Sequence, residues 1–192
     1  VLNLPENIAV NKRNIIEYLA REILSGSLKH NDTIPNEIEC AARFGVSRTM
    51  IRDVLTILEM KGLIERKTNL GTRVRSINSW NLLDQELLDW SRGILTGSRF
   101  LLSLMELRLV IEPQAAALAA IRANDKNLVQ IRNNFKEMLP KSLTSTPTML
   151  NSEADINFHK SILKACGNLF LSQFGSAIQG ALHHTIYKSN QI

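Results

Sequence analysis

The sequence predicts a mainly α protein in two parts: an N-terminal head of three short helices closed by a β-hairpin, then an all-helical C-terminal bundle. Three observations predict it. Apolar residues recur at helical spacing through most of the chain, strand-like stretches occur only between residues 63 and 75, and from Trp80 onward every apolar run keeps a 3.6-residue period. At 192 residues the chain is long enough for one fold or for two modules that each bury a core. Apolar types make up 44% and charged types 21%, a globular balance that excludes a disordered or collagen-like chain.

Ile15, Ile16, Leu19, Ile23 and Leu24 share one helical face and Gly26 lies just beyond, so a helix is predicted over about residues 10–25. Pro35 suits the first turn of a second helix, with Ile38, Ala41 and Ala42 expected on its buried side; Gly45 ends it where a tight turn needs positive φ. Ser47 caps a third helix to about Lys61, with Ile51, Val54, Leu55 and Leu58 inward and Gly62 as terminator. Two extended pieces follow, Leu63–Lys67 and Thr72–Arg75, and Thr68-Asn69-Leu70-Gly71 between them suits a hairpin turn.

In the second half a short helix is expected around Leu82, Leu83, Leu87 and Leu88. Ser98 then caps a long helix with Leu101, Leu104, Met105, Leu109 and Val110 inward. Pro113 removes a backbone donor and should kink or restart that helix before the small-residue run Ala115–Ile121. Leu128, Ile131 and Phe135 mark the next helix, and residues 140–147 read as a Ser/Thr-rich loop. Helices over Glu153–Ala165 and from Leu169 to about Tyr187 are separated by Gly167-Asn168. The expected organisation is a head over 1–75, a linker with a short helix over 76–97, and a bundle over 98–192.

The formal net charge of +5 is unevenly placed. Residues 1–42 carry four Lys/Arg against six Asp/Glu, residues 43–75 eight against three, and residues 76–192 eleven against nine, for nets of −2, +5 and +2. One 33-residue segment thus holds an excess equal to that of the whole chain, and a polyanion would be drawn there first. No apolar stretch approaches the roughly 18 residues of a bilayer crossing, so no membrane partner is expected. Val1–Val10 lacks a basic segment leading into an apolar run, and Cys40 and Cys166 have neither CxxC nor metal-ligand spacing. A soluble protein of the reducing cytoplasm is the expectation.

Two helices joined by a tight glycine turn and followed by a hairpin match the winged helix-turn-helix plan, whose second helix enters the major groove of DNA. Arg48 and Arg52 are four apart and share a face of the third helix, a placement that costs an isolated helix a few tenths of a kcal/mol in repulsion. Stability does not ask for that pair, whereas a phosphate or the O6/N7 edge of guanine would favour it. Ser47 and Thr49 add hydroxyls at a helix N-terminus that itself favours an anion. Arg73 and Arg75 alternate with Val74 and can project from one side of the wing. The plain alternative is a solvated charged helix.

Ile34-Pro35-Asn36-Glu37, then Ala41-Ala42-Arg43-Phe44-Gly45-Val46-Ser47-Arg48-Thr49, Ile51-Arg52-Asp53-Val54-Leu55, Leu58-Glu59, Lys61-Gly62-Leu63-Ile64 and Gly71-Thr72 carry a resemblance. Over about 65 residues they closely resemble the DNA-binding domain of the GntR family of bacterial transcription regulators. The resemblance implies a homodimer on a pseudo-palindromic, double-stranded operator. It places Arg48 and Arg52 on bases, Ser47 and Thr49 on phosphate or base, and the wing tip from Asn69 to Gly71 at the minor groove, with Arg43 among the DNA-contacting set. Ile38 departs from the family, which usually has an arginine after the Glu37 position.

Leu104-Met105-Glu106-Leu107-Arg108, Ile111-Glu112-Pro113, Ala116 to Arg122 and Asp155-Ile156-Asn157-Phe158-His159 resemble the FCD-type ligand domain of the FadR-like branch. Trp80-Asn81-Leu82-Leu83-Asp84, with Trp90, is similar to sugar-acid regulators of the D-galactonate type. The resemblance implies a helical bundle enclosing a small carboxylate effector, often beside a divalent metal. Arg108 is the natural partner for that carboxylate because a guanidinium binds it bidentately, its alternative being a helix-helix ion pair. Asp155 and His159, four apart on one helix face, would serve effector binding and supply two ligands of a Zn, Ni or Mn site; a solvated Asp/His pair is the other reading. The family supplies two further histidines beyond Ile192, and His183 and His184 do not stand at those positions. The ending Ser189-Asn190-Gln191-Ile192 lacks a cap or closing helix, so a shortened chain is expected, and Val1 in place of methionine points to loss at the other end too.

An enzyme built on Cys166, His159 and Asp155 is excluded by spacing. Cys166 lies seven residues from His159, about 10 Å along a helix, and no Gly-rich phosphate loop, GxSxG or HExxH sequence is present. The expected function is a ligand-responsive transcription regulator, a repressor of aldonate or hexuronate catabolism. The alternative is a metal or carboxylate sensor that activates transcription.

Overall fold

The computed structural model describes residues 9–91, 93–95, 98–139 and 152–175, and divides the chain into two compact units, Val1–Ile94 and Leu95–Ile192. In the first unit α1 (Lys12–Leu24) begins at Asn11, whose side chain accepts the Asn14 N–H, and buries Ile15, Ile16, Leu19, Ile23 and Leu24. The short α2 (Glu37–Phe44) and the longer α3 (Arg48–Met60) pack against each other, and α3 also packs on α1. The inward row of α3 is Ile51, Val54, Leu55 and Leu58, all buried. Gly45 closes α2 at φ +66°, a left-handed turn that only glycine adopts without a Cβ penalty, and the chain re-enters a helix three residues later.

The second helix turns out rotated from expectation. Asn36 is its N-cap, with a reciprocal capping box to Glu39, so Pro35 precedes the helix instead of forming its first turn. The face toward α1 and α3 runs through Cys40, Ala41 and Phe44. Ile38 and Ala42 lie more than 100° around the helix from that face by its 3.6-residue period. Ala42 is exposed, and Ile38 is 60% exposed.

The wing has three strands. β2 (Ile64–Lys67) and β3 (Gly71–Val74) form the expected hairpin, with Glu65 opposite Arg73 and Lys67 opposite Gly71. A two-residue strand β1 (Thr33–Ile34) pairs antiparallel with the outer side of β3, giving the order β1-β3-β2. Two residues show no alternation, which is why β1 is invisible in the sequence.

The stretch after the wing is tied to the head. A 3-10 turn (Ile77–Ser79) brings the Ser79 carbonyl against Gly62, where an added Cβ would sit 2.1 Å from that oxygen, and the Asn81 N–H donates to the Lys61 carbonyl. α4 (Gln85–Trp90) buries Leu87, Leu88 and Trp90, while Leu82 and Leu83 precede it. The Lys61 ammonium, itself buried, reaches Asp84 and Glu86 at 2.7 Å each and lies 5.0 Å from the Trp90 ring centre. Arg21 on α1 donates to the Trp90 carbonyl.

In the second unit α5 (Ser98–Arg122) runs unbroken through Pro113, where a kink or restart was expected. Its small residues Ala115 and Ala119 let α7 (Ser152–Ala165) approach, and with Leu163, Ala165 and Cys166 they make the core. α6 (Asp125–Met138) lies along α7. There Phe135 meets Phe158 at 5.6 Å between ring centres, and buried Asn134 donates to the Asn157 carbonyl. A further helical segment occupies 169–175.

Leu104 and Met105 are half-buried, but Leu109 and Val110, expected inward, are 76% and 69% exposed. The cause is that α5 is apolar almost all round, so periodicity cannot choose its inward face, and its described contacts concentrate on the alanine half. The side chains of Ser98 and Leu101, the predicted loop at 140–147, the predicted helix beyond residue 175, and His183 and His184 lie outside the described residues.

Candidate nucleic-acid interface and effector cavity

The turn at Gly45 places Ser47 at the N-cap of α3, where its hydroxyl oxygen accepts the Met50 N–H at 3.2 Å and keeps its own O–H free to donate. Arg43, Ser47, Arg48, Thr49 and Arg52 are all exposed, so neither of the paired arginines turns inward. Arg52 is nevertheless engaged. Its Nε donates to Glu37 Oε1 at 3.1 Å and its Nη2 to Oε2 at 3.0 Å, a side-on fork in which Arg52 remains 60% exposed and Glu37 is 25% exposed. The hydrogen bond from Arg52 holds the Glu37 carboxyl below its ordinary value, helped by the charge of Arg48. In the wing, Asn69 is exposed at the turn and Gly71 sits at φ +72°.

The basic excess of residues 43–75 is less open than its count suggests. Lys61 is buried among carboxylates, Arg66 is held by Glu59 and Thr56, Lys67 pairs with Glu65, and Arg73 donates to the Asn31 carbonyl. Glu37, absent from the candidate residues, joins α2 to the exposed face of α3. Its signal is a tertiary one, since fifteen residues separate it from Arg52.

In the bundle, two of the sequence-predicted residues, Arg108 of α5 and His159 of α7, line a cavity of about 470 Å³, and Asp155 is not among its lining residues. Arg108, Glu112 and His159 supply its polar lining and Met105, Leu109 and Ile162 part of its apolar wall. Arg108 Nε donates to Glu112 Oε1 at 2.6 Å, and His159 Nδ1 lies 2.9 Å from Glu112 Oε2. His159 Nε2 stands 3.6 Å from Asp155 Oδ1. Burial raises the Glu112 carboxyl, but hydrogen bonds from His159 and Arg108 outweigh it and keep the group below the ordinary carboxylate range. Glu112 is therefore the hub that the spacing arguments missed, although its i,i+4 relation to Arg108 was legible.

Asp155 and His159 approach each other, but each histidine nitrogen faces a carboxylate, and one of those carboxylates already carries Arg108. Among the described residues no three His, Cys, Asp or Glu side chains converge as metal ligands, and Asp155 and His159 are the two of the expected set that stand together. The cavity, partly open to solvent, is of the size that small ligands occupy.

Residues 11–74 match the family described as bacterial regulatory proteins, gntR family, and residues 103–191 match the FCD domain. The galactonate operon transcriptional repressor of Escherichia coli is 33% identical over 172 residues, covering 89% of this chain and 74% of that protein. The chain belongs to the gntR family. The Uxu operon regulator of Haemophilus influenzae is a further relative, 28% identical over 99% of this chain and 74% of its own length. The solved structure of Lar, which controls the expression of the Listeria monocytogenes agr system, shares the fold at a TM-score of 0.55. That likeness comes with 20% identity over 97% of this chain and 80% of that one.

As a gntR-family protein with an FCD domain, this chain is a transcription regulator and not an enzyme. Such regulators bind operator DNA through the head and an effector through the FCD domain. Among the described residues no helix is long and apolar enough to cross a membrane.

Proposed function

We propose that this gntR-family regulator is a homodimeric, cytoplasmic repressor of sugar-acid catabolism that loses its operator when an aldonate or hexuronate enters the bundle. The observation that carries the reading is the exposed start of α3, where Arg48 and Arg52 stand out of the head beside the wing. In it, Arg52 and Arg48 read bases or hold phosphates, Ser47 and Thr49 donate to the backbone, Arg43 adds a flanking positive charge, and the Asn69–Gly71 tip enters the minor groove. The DNA-binding domain is residues 1–75, the segment 76–97 connects it while packing its first part on the head, and 98–192 binds effector and partner subunit.

In the bundle, Arg108 is the carboxylate anchor and His159 meets a hydroxyl of the sugar acid, with Asp155 behind the His159 ring. The names of the galactonate and Uxu relatives support the substrate class. Effector and operator act as a population shift between dimer geometries that fit and do not fit two half-sites.

The test is fluorescence anisotropy with a duplex selected by the protein from a random library, titrated with galactonate, gluconate and glucuronate, with and without Zn, Ni or Mn. One of these acids should release the duplex; retention against all of them contradicts the effector class. Arg52→Ala should weaken specific binding by about 1–3 kcal/mol.

A further inference from the structure

We propose that Glu37 is a specificity-determining residue: it clamps the side of Arg52 so that the outer edge of the guanidinium is presented to a guanine in one fixed direction. The inference rests on the reading of Arg52 as a DNA contact and deepens it. An arginine carries five N–H donors in a planar fork. The side-on contact with Glu37 uses the Nε–H and one Nη2–H. Two N–H groups on Nη1 and one on Nη2 stay free, and the parallel Nη1/Nη2 pair matches the O6 and N7 acceptors of guanine in the major groove.

The cap of α2 does not use this carboxylate, which adds only its charge to the first turn of the helix. The N-cap of the helix is Asn36 and its capping-box partner is Glu39, so Glu37 serves neither. An ion pair at this level of exposure contributes little to stability. A carboxylate beside a DNA-facing surface also opposes the phosphates, so for non-specific affinity alone it is unfavourable. What the clamp does supply is direction. A free arginine satisfies a phosphate from many rotamers, whereas one whose inner edge is held can satisfy only an acceptor pair placed along its outer edge. Arg48, one turn earlier, is exposed and its charge reaches Glu37, yet it does not enter the fork. The two arginines are therefore not equivalent: Arg52 is fixed and reads, and Arg48 is the more adaptable of the pair.

The experiment is selection and sequencing from a duplex library with a randomised core, using the full chain as wild type, Arg52→Ala, Glu37→Gln and Glu37→Ala. Binding to the unselected library is measured alongside. Wild type should select guanine at one position of each half-site, and Arg52→Ala should lose that preference. Both Glu37 variants should lower it about tenfold at the same position and at no other, while binding to unselected DNA holds or rises. If Arg52→Ala loses the guanine preference and the Glu37 variants keep it, the clamp is overturned and the Arg52 reading stands. If the Glu37 variants bind every sequence more tightly with preference unchanged, the carboxylate merely repels phosphate and the clamp is again overturned. If Arg52→Ala changes nothing, the DNA-contact reading and the clamp fall together.

Discussion

Arg52 and Arg108 share one arrangement in two different units: each guanidinium is gripped along its Nε/Nη2 side by a glutamate of its own chain, Glu37 in one case and Glu112 in the other. In both, the glutamate leaves the Nη1 edge unused, and in the function proposed above that edge meets a base at the head and a carboxylate in the cavity. Because Arg108 is only 13% exposed, the grip there also keeps a charge paired in a partly apolar enclosure, where an uncompensated one would be costly. Arg108→Ala should abolish the rise in thermal stability produced by a binding sugar acid, and Arg108→Lys should not restore it, since an ammonium has no fork. A full shift retained in Arg108→Ala would remove that residue from the site. At this scale the sequence was informative about residue type and silent about partners. The i,i+4 link between Arg108 and Glu112 follows from helical geometry, but the contacts Glu37–Arg52 and Glu112–His159 each join two different helices, and no spacing rule within one helix reports them.

Among the elements, α1 and α3 were legible because each has one apolar stripe and a polar remainder, with Gly26 beyond the one and Ser47 capping the other. α5 has no such asymmetry, which is why Leu109 and Val110 could be assigned inward and stand exposed. The phase of α2 depended on whether its cap stood at Asn36 or earlier, and eight residues are too few for the apolar pattern to correct a slip.

The junction between α3 and the segment after the wing gives two stability predictions. Gly62→Ala meets the Ser79 carbonyl at a φ of +75°, so strain and overlap add, and it should cost roughly 2–4 kcal/mol in chemical denaturation. A cost near zero would mean that this contact is not made in solution. Burial is the largest single influence on Lys61 and pushes it down, but the hydrogen bonds it donates to Asp84 and Glu86, together with their charges, outweigh that, so its net shift is upward. A raised folded-state value means that its contribution is complete below the unfolded value, about 10.4, and is lost as pH rises through the folded value. Lys61→Ala should therefore be less stable than wild type by roughly 2 kcal/mol at pH 7, with the gap narrowing above about pH 10. A gap that stays constant into alkaline solution would show that the ion pairs are not its source.

For the molecule as a whole, the division into a head and a helical bundle was readable from the loss of strand-like alternation after the wing. Where the head ends was not, because a stretch that reads as linker, 76–90, is held to it by Gly62, Lys61 and Arg21 through contacts no local pattern encodes. The charge count likewise overstated the open charge of residues 43–75, since Lys61 and Arg66 serve the fold.

In the proposed function, the exposed arginines at the start of α3 meet the phosphates and base edges of a duplex; that contact makes affinity depend on salt. Its most direct test is the slope of log affinity against log salt for a selected duplex, wild type beside Arg48→Ala/Arg52→Ala. The wild-type slope should be steep, and the double variant should bind more weakly with a slope shallower by about one to two. A shallow wild-type slope, or a double variant indistinguishable from wild type in both affinity and slope, would contradict it.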